Sequence, residues 1–271
     1  RGGLAIVTVV VCMFFAAISG SGPATVAAVG GMVVPTMLQK GYDRKFVLAL
    51  IAAAGSIGVI IPPSIPMVVY SVTTNSSVSK LFLAGFMPGL LIGLVLIGYS
   101  YFFAVSHGYK GDEEPLSEKK ALKEVKDSIW ALLSPVIILG GIYGGIFTPT
   151  EAAAVSVIYS LVIGCLVYKE LNLKQLMTVT KNACETTATI LIVIGCAAGF
   201  SKVLTLGRIP TTVATFLTTM TDSKILILLL INVLLLIVGC FMETLCAIMI
   251  LAPILFPVVT ALGVDVTHFG I

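Results

Sequence analysis

The chain has 271 residues, of which 58% are apolar and only 11% are charged. Soluble domains carry about 25% charged residues, so this composition excludes a soluble globular protein and predicts an all-α polytopic membrane protein whose longer apolar runs cross the bilayer. The net charge of +3 gives no indication of nucleic-acid binding, and no nucleic acid is expected as a partner.

The first predicted element is a re-entrant helical hairpin. Two apolar runs, residues 4–18 and 24–38, flank the helix-breaking sequence Ser-Gly-Ser-Gly-Pro at 19–23. Each run is about 15 residues long, which is too short to span a bilayer comfortably at about 1.5 Å per residue. Because a bilayer tolerates irregular backbone only where it faces protein or a water-filled cavity, the break is predicted to be the hairpin tip and a binding site.

The second predicted element is a discontinuous helix. A helical pattern runs from residue 46 to 60, consecutive prolines at 62 and 63 interrupt it, and it resumes from 65 to 72. Proline removes a backbone donor and clashes with the preceding turn. The break is therefore expected to expose backbone groups that a ligand can use.

The middle of the chain is predicted to hold further spans and one surface helix. Thr148, Pro149 and Glu151 have the spacing of a capping box at a helix start, and capping is favoured for Glu151 over an ion or substrate role. The other predictions here are a loop at 75–77, a span at 81–105, a polar segment at 106–127 with an amphipathic helix at 116–127, spans at 129–147 and 149–168, a polar connector at 169–181, a span at 182–206 and a loop at 207–224.

A second pair of short apolar runs, residues 225–239 and 245–262, flanks a polar break at 239–244. Glu243 lies at this second tip. A carboxylate within a membrane segment is a functional-site hypothesis by default, so an ion or substrate role for Glu243 stays open beside a structural one. Glu185, in contrast, follows Lys181 by four residues, and an ion pair along one helix face is favoured for it.

The basic residues predict the orientation of the chain. The loops at 39–45, 106–127 and 168–182 carry 11 of the 16 Lys and Arg residues, whereas the loops and helix ends assigned to the opposite side carry four. The positive-inside rule therefore places the first three loops in the cytoplasm. Five predicted crossings separate the two hairpins, so the second hairpin opens to the opposite face, which indicates an inverted-topology repeat.

A shift of 222 positions gives direct support for a repeat, because it pairs helix-end and turn residues that follow each tip. The same shift places the counterpart of the two prolines at 284–285, past residue 271, and the chain does not begin with Met. We therefore expect the sequence to be a fragment that lacks both ends. The identical pairs are Pro35 with Pro257, Gly41 with Gly263, and Asp43 with Asp265.

The breaks predict the chemistry of the site. Freed carbonyls and hydroxyls are hard oxygen donors that suit Na⁺, and the N-termini of half-helices favour anions. We therefore predict a site for Na⁺ and a carboxylate substrate. The candidate residues are Ser19, Gly20, Ser21, Gly22 and Thr25 at the first tip, Ile61, Pro62, Pro63 and Ser64 at the helix break, and Gly239, Met242, Glu243 and Thr244 at the second tip.

Motifs of common enzyme classes are missing from the sequence. It has no HExxH, GxSxG or P-loop, and its histidines and cysteines form no metal-binding pattern. We therefore predict that the chain is not an enzyme and that it needs no cofactor beyond Na⁺ as a coupling ion.

The chain resembles the large membrane subunit of the TRAP (tripartite ATP-independent periplasmic) transporters over essentially its whole length. The sequences that carry the resemblance are Arg-Gly-Gly-Leu-Ala at 1–5, Ile-Ser-Gly-Ser-Gly at 18–22, Ile-Ile-Pro-Pro-Ser-Ile-Pro at 60–66, Gly-Ile-Phe-Thr-Pro-Thr-Glu-Ala-Ala-Ala at 145–154 and Leu-Ala-Pro-Ile-Leu-Phe-Pro at 251–257.

The resemblance implies a Na⁺-driven importer of organic acids, such as C4-dicarboxylates or sugar acids, that lies in the bacterial inner membrane and works by an elevator mechanism. It also implies two protein partners, a small four-helix membrane subunit and a periplasmic substrate-binding protein. The family's first hairpin tip maps onto residues 19–23, its first broken helix onto 61–66 and its second hairpin tip onto 239–244.

We therefore predict that the chain has three parts. Residues 1–80 form the first hairpin and broken helix of the transport domain, residues 81–181 form scaffold-like spans, and residues 182–271 form a spanning helix and the second hairpin.

Two other functions stay open. A related elevator-type carrier of citrate-like anions would work without a binding protein, and a membrane scaffold subunit would show no dependence on Na⁺. Uptake measured with and without a binding protein separates the first alternative from a TRAP transporter.

Overall fold

The computed structural model describes residues 2–109, 118–208, 212, 215 and 223–271, with the backbone alone at 118–127 and 201. Every regular element within these residues is helical, as predicted. The α-helices are α1 (Gly3–Ser19), α2 (Gly22–Gln39), α3 (Arg44–Ser56), α4 (Ile65–Thr74), α5 (Val78–Ser106), α6 (Glu118–Tyr143), α7 (Pro149–Val162), α8 (Leu173–Leu206), α9 (Lys224–Gly239), α10 (Thr244–Ala261) and α11 (Val266–Gly270).

Four helical stretches in the described part are long and apolar enough to cross a membrane. They confirm the prediction of a polytopic membrane protein, since a span needs about 20 apolar residues. The stretches are α5, α7 with the π-helical turn that follows it to Val167, α8 and α10.

Helices α1 and α2 form a helical hairpin at the predicted position, and its re-entrant insertion into the membrane stays a prediction. The hydroxyl of Thr8 in α1 donates a hydrogen bond to the sulfur of Met37 in α2, at 3.7 Å, so the two helices run antiparallel. Only Gly20 and Ser21 link them, and the helix resumes at Gly22. The break is shorter than the predicted 19–23 because proline at position 23 is tolerated in the first helical turn, where its missing N–H would have no partner.

The predicted discontinuous helix is confirmed. Helix α3 ends at Ser56, a 3₁₀ turn covers Ile57–Val59, and irregular backbone with a cis Pro62–Pro63 bond leads into α4. The Asp43 carboxylate caps α3 by accepting a hydrogen bond of 3.0 Å from the Phe46 amide.

Two predicted boundaries in the middle of the chain are wrong. Helix α6 runs unbroken from Glu118 to Tyr143, so the predicted surface helix and the following span are one helix, while residues 110–117 lie outside the described part. Helix α8 begins at Leu173, so most of the predicted connector at 169–181 is helical. The reason is a capping box in which Asn172 and Gln175 each bond the other's backbone amide.

The predicted ion pair on α8 is confirmed. The Lys181 ammonium lies 3.7 Å from the Glu185 carboxylate, four residues later on the same face, and both side chains are exposed. Most of the predicted loop at 207–224 lies outside the described residues.

The predicted capping box at the start of α7 is confirmed. The Thr148 hydroxyl accepts from the Glu151 amide at 3.3 Å, and the Glu151 carboxylate accepts from the Thr148 amide at 2.8 Å. Glu151 is therefore a capping residue, as the spacing predicts.

Replacing Thr148 with alanine is expected to lower the midpoint of thermal unfolding, because loss of an N-cap typically costs about 1 kcal/mol. Unfolding of the purified chain in detergent, followed by circular dichroism, measures the effect. Thr150→Ala, in the same helical turn, is the control and leaves the midpoint unchanged. Equal midpoints for the two variants would contradict the capping role.

Helices α9 and α10 form a second antiparallel pair. The Lys224 ammonium donates to the Gly263 carbonyl at 3.1 Å, next to a small apolar core. Residues 240–243 separate the two helices, close to the predicted break. The buried core residues are Ile227, Ile231, Leu255 and Val259.

The local structure of α2 and its exit turn is repeated in α10. A shift of 222 positions maps both ends of α2 onto both ends of α10, and the start of α3 onto the start of α11. Gly41 and Gly263 both have positive φ, at 79° and 65°. The matching backbone hydrogen bonds are Gly41 N to Leu38 O and Gly263 N to Thr260 O, Tyr42 N to Met37 O and Val264 N to Val259 O, and Val47 N to Asp43 O and Phe269 N to Asp265 O.

The paired aspartates have the same role. Asp265 caps α11, as Asp43 caps α3, and the amides of His268 and Thr267 that it binds lower the pKa of its carboxyl. The predicted repeat therefore holds at the level of local structure, and its inverted orientation stays a prediction.

The chain divides into two compact units. One comprises Arg1–Ile65 with Phe82–Leu171, and the other comprises Pro66–Leu81 with Asn172–Ile271. The first hairpin and the helix break thus lie in one unit, and the second hairpin lies in the other. The predicted division at 1–80, 81–181 and 182–271 stays a prediction.

Candidate functional site

The first hairpin tip is in direct contact with the helix break. The Gly20 carbonyl accepts a hydrogen bond of 3.1 Å from the Ile65 amide, the first residue of α4. Gly20 has φ +61°, and a Cβ atom placed on it would lie 2.6 Å from the Pro63 carbonyl oxygen. Glycine is therefore required at this position for two reasons: the backbone is left-handed there, and two backbone segments approach each other closely.

Three predicted residues form a small cluster of oxygen atoms at the tip. The Ser19 and Thr25 hydroxyl oxygens lie 3.0 Å apart, and the Thr25 hydroxyl donates to the Ser21 carbonyl at 2.8 Å. The Ser19 hydroxyl in turn accepts from the Ser21 amide at 3.3 Å. Thr25 is fully buried, although it lies in the first turn of α2. The cluster therefore places hydroxyl and carbonyl oxygens at the point where two helices meet.

The helix break packs against this cluster. A Cβ atom on Gly58, in the 3₁₀ turn, would lie 2.8 Å from the Thr25 hydroxyl oxygen and 2.9 Å from the Ser21 carbonyl oxygen. Further along the break, the buried Ser64 hydroxyl donates to the Val59 carbonyl at 2.6 Å. The oxygen cluster of the tip thus lies against the backbone of the 3₁₀ turn, and Ser64 binds the carbonyl at the end of that turn.

Gly55 and Gly58 are contact positions of the candidate site that the sequence analysis missed. A Cβ atom on Gly22 would lie 3.3 Å from the Gly55 carbonyl oxygen, and a Cβ atom on Gly55 would clash with the Val26 side chain. These contacts let the hairpin tip approach the end of α3 closely. The spacing Gly-x-x-Gly just before the two prolines was the signal available in the sequence.

Ile61, another predicted site residue, serves packing in this structure. It is buried, and its side chain lies where a Cβ atom on Gly89 of α5 would fall, at 2.5 Å. Pro62 is also fully buried. Of the residues predicted at the break, Pro63 and Ser64 supply the polar contacts and Ile61 anchors the break to α5.

The second tip is built differently. The Glu243 carboxylate caps α10 by accepting hydrogen bonds from the Leu245 amide at 2.9 Å and the Cys246 amide at 3.4 Å. Glu243 is exposed. The structure thus assigns it a capping role, and binding of an ion or substrate by this carboxylate stays a prediction.

The other predicted residues of the second tip line a cavity of about 300 Å³ in their own compact unit. Gly239, Met242 and Thr244 contribute to it, together with Tyr70 of α4. Most of the other lining residues are apolar side chains of α9 and α10. The cavity brings three of the four residues predicted at this tip to one place.

The two tips differ in their donors. At a shift of 222 positions, the residues that match Ser19, Ser21 and Thr25 are a phenylalanine, a glutamate and an alanine. The hydroxyl cluster therefore occurs only at the first of the two described tips. No group of three or more His, Cys, Asp or Glu side chains within the described residues could hold a metal ion, so the donors at the first tip are hydroxyl and carbonyl oxygens.

Comparison with known proteins identifies the family. The family model of the DctM component of the tripartite ATP-independent periplasmic transporters matches residues 1–271. The chain is 51% identical to the isethionate TRAP transporter permease protein DctMQ of Oleidesulfovibrio alaskensis, 44% identical to the C4-dicarboxylate TRAP transporter large permease protein DctM of Pseudomonas aeruginosa, and 38% identical to the sialic acid TRAP transporter large permease protein SiaM of Vibrio cholerae.

Each of these alignments covers 100% of the chain but only 42%, 63% and 63% of the respective relative. The chain thus spans less than two thirds of the length of these relatives. The family model nevertheless matches every residue of the chain. The four helical stretches that are long and apolar enough to cross a membrane agree with a permease. The chain therefore belongs to the DctM component of the TRAP transporters and is a multi-pass protein of the bacterial inner membrane.

Proposed function

We propose that the chain is part of a Na⁺-coupled importer of organic acids and that the first hairpin tip, closed against the helix break, holds a coupling ion. The observation that carries this proposal is the oxygen cluster of Ser19, Ser21 and Thr25 beside Gly58. In secondary transporters, carbonyls of unwound helices bind Na⁺, and the same kind of donor is concentrated at this tip.

The substrate of the proposed importer is a small organic acid. The relatives are named for isethionate, C4-dicarboxylates and sialic acid, each of which carries a carboxylate or sulfonate group. The N-terminus of α2 offers a place for such a group, because the Ser21 side chain does not cap it and a helix N-terminus attracts anions. The anion would then lie beside the coupling ion, which offsets its charge.

Transport is proposed to follow an elevator mechanism. The two hairpins, re-entrant from opposite faces, would carry the site and move with it against the other spans. The full permease is proposed to work with a small four-helix membrane subunit and with a periplasmic binding protein that delivers the acid. The chain itself is proposed to catalyse no reaction and to use no cofactor besides Na⁺.

Uptake into proteoliposomes tests this function. The complete permease that contains this chain would be reconstituted with its small subunit, and uptake of a labelled organic acid would be followed with and without the binding protein and an inward Na⁺ gradient. We expect uptake only when both are present. Uptake without the binding protein would support a stand-alone carrier, and uptake that ignores Na⁺ would refute the coupling.

A further inference from the structure

A groove lies between α3 and α5, away from the hairpin tip. It encloses about 380 Å³ and contains none of the residues predicted for ion or substrate binding. Its lining changes along its length, with charged residues at one end and small or aliphatic residues at the other. The lining residues are Asp43, Lys45, Phe46, Ala49, Leu50, Ala53, Leu96, Tyr99 and Phe103.

The charged end of the groove has a cationic side chain. Lys45 is exposed, and no carboxylate in the described part of the chain forms an ion pair with it. Asp43, its neighbour in the groove, is engaged by the Phe46 amide through its carboxylate and by the Tyr109 hydroxyl through its own amide, at 3.0 Å each. Among the residues that the structure describes, the mouth therefore presents the exposed Lys45 side chain.

Aromatic rings surround this mouth. Phe46 stacks on Phe103 with ring centroids 3.9 Å apart, and Tyr99 tilts against both rings. Tyr42 stacks on Tyr109 at 4.2 Å, next to the same cluster. Tyrosine is enriched where a protein meets lipid headgroups. The rings lie beside the predicted polar loop at 39–45, which agrees with a mouth at headgroup level.

The dimensions of the groove fit one extended chain. Lys45 and Ala53 are eight residues apart on α3, or about 12 Å at about 1.5 Å per residue. A groove of about 380 Å³ over that length has room for an extended acyl chain. The lysine at its charged end adds charge complementarity to an anionic headgroup.

We propose that this groove binds one acyl chain of a phospholipid with an anionic headgroup, and that the Lys45 ammonium contacts the headgroup. Ala49 and Ala53 provide the open floor on α3, while Leu96 and Tyr99 form the α5 wall. Because α3 leads directly into the 3₁₀ turn and the helix break, a bound lipid would hold α3 against α5 next to the candidate ion site.

Native mass spectrometry of the purified full chain tests the proposal. The chain would be delipidated in detergent and incubated with phosphatidylglycerol or phosphatidylcholine of equal chain length. We expect one phosphatidylglycerol to be retained per chain. Ala53→Phe, which fills the groove, is expected to abolish retention, and Lys45→Gln to reduce the preference for phosphatidylglycerol about fivefold, the factor that one basic side chain contributes near an anionic surface.

Ala52→Phe is the matched control, because Ala52 is exposed on α3 but does not line the groove. It retains the lipid as the unmodified chain does. Equal retention by the Ala53 and Ala52 variants would overturn the proposal. So would an unchanged lipid preference for Lys45→Gln, a surface change that leaves the fold intact, or release of the lipid when the purified small subunit is added.

Discussion

Replacing Gly58 with alanine is expected to abolish most Na⁺-dependent uptake by the complete permease without changing its helix content. The added Cβ atom would lie 2.8 Å from the Thr25 hydroxyl oxygen and 2.9 Å from the Ser21 carbonyl oxygen, both closer than real Cβ contacts. The Thr25 side chain can rotate, but the Ser21 carbonyl is backbone, so the tip itself must move away from the break.

The size of the effect follows from the cost of overpacking. Forcing an extra methyl group into a packed interior typically costs about 1–3 kcal/mol. If the tip opens to relieve that cost, the population of its closed conformation falls about 5- to 150-fold. Uptake driven by a Na⁺ gradient in proteoliposomes measures the loss.

Gly31→Ala is the control for this variant. Gly31 lies in α2, is exposed, and has open space where its Cβ atom would be placed. The same substitution there adds a methyl group to the same hairpin without touching the break. If both variants transported equally well, close contact between tip and break would not be needed for function.

The two helical hairpins and the broken helix could be predicted because their signals are local. A polar or Gly- and Ser-rich break ends each apolar run, and the prolines at 62 and 63 cannot continue a helix. Re-entrant insertion stays a prediction, and α10 is long enough to cross a membrane. The repeat could also be predicted from the sequence, because glycine suits a turn with positive φ after a helix and aspartate suits the cap of the next helix. Gly41 and Asp43, with their counterparts 222 positions later, satisfy those needs in the same way.

Other features depended on contacts that a single segment does not reveal. Gly55 and Gly58 are in close contact with the hairpin tip, and their Gly-x-x-Gly spacing alone does not reveal which segment packs against them. The start of α8 was misplaced because polar composition was read as a connector, although Asn172 and Gln175 cap a helix there. The charge of Glu243 suggested an ion or substrate role, and its position as the N-cap of α10 could be assigned only from the backbone structure.

The comparison of the two tips explains why one tip is the better candidate for a cation. The helices that follow the tips correspond, since α2 and α10 begin and end at equivalent positions. The tips differ in chemistry, because the residue equivalent to Ser21 is Glu243, whose carboxylate is engaged by the α10 amides. The residues equivalent to Ser19 and Thr25 carry no hydroxyl, so Na⁺ affinity should respond chiefly to changes at Ser19 and Thr25.

Replacing Thr25 with valine is expected to raise the Na⁺ concentration that gives half-maximal uptake by about tenfold or more. Valine keeps the shape of the buried side chain and removes only the hydroxyl, which lies 3.0 Å from the Ser19 hydroxyl. An interaction between a polar group and a charge contributes about 1.5–3 kcal/mol, which corresponds to that change in affinity. Uptake at graded Na⁺ concentrations in the complete permease measures it.

Thr36→Val provides a matched comparison on the same helix. Thr36 and Thr25 each donate to the carbonyl four residues earlier, at 3.1 Å and 2.8 Å, but Thr36 is exposed and lies more than two turns from the tip. Both variants lose a hydrogen bond to the carbonyl four residues earlier, so any difference between them reports the position of Thr25 at the tip. A Na⁺ dependence that shifts equally in both would show that the Thr25 hydroxyl acts on the helix alone, and the oxygen cluster would then not be the ion site.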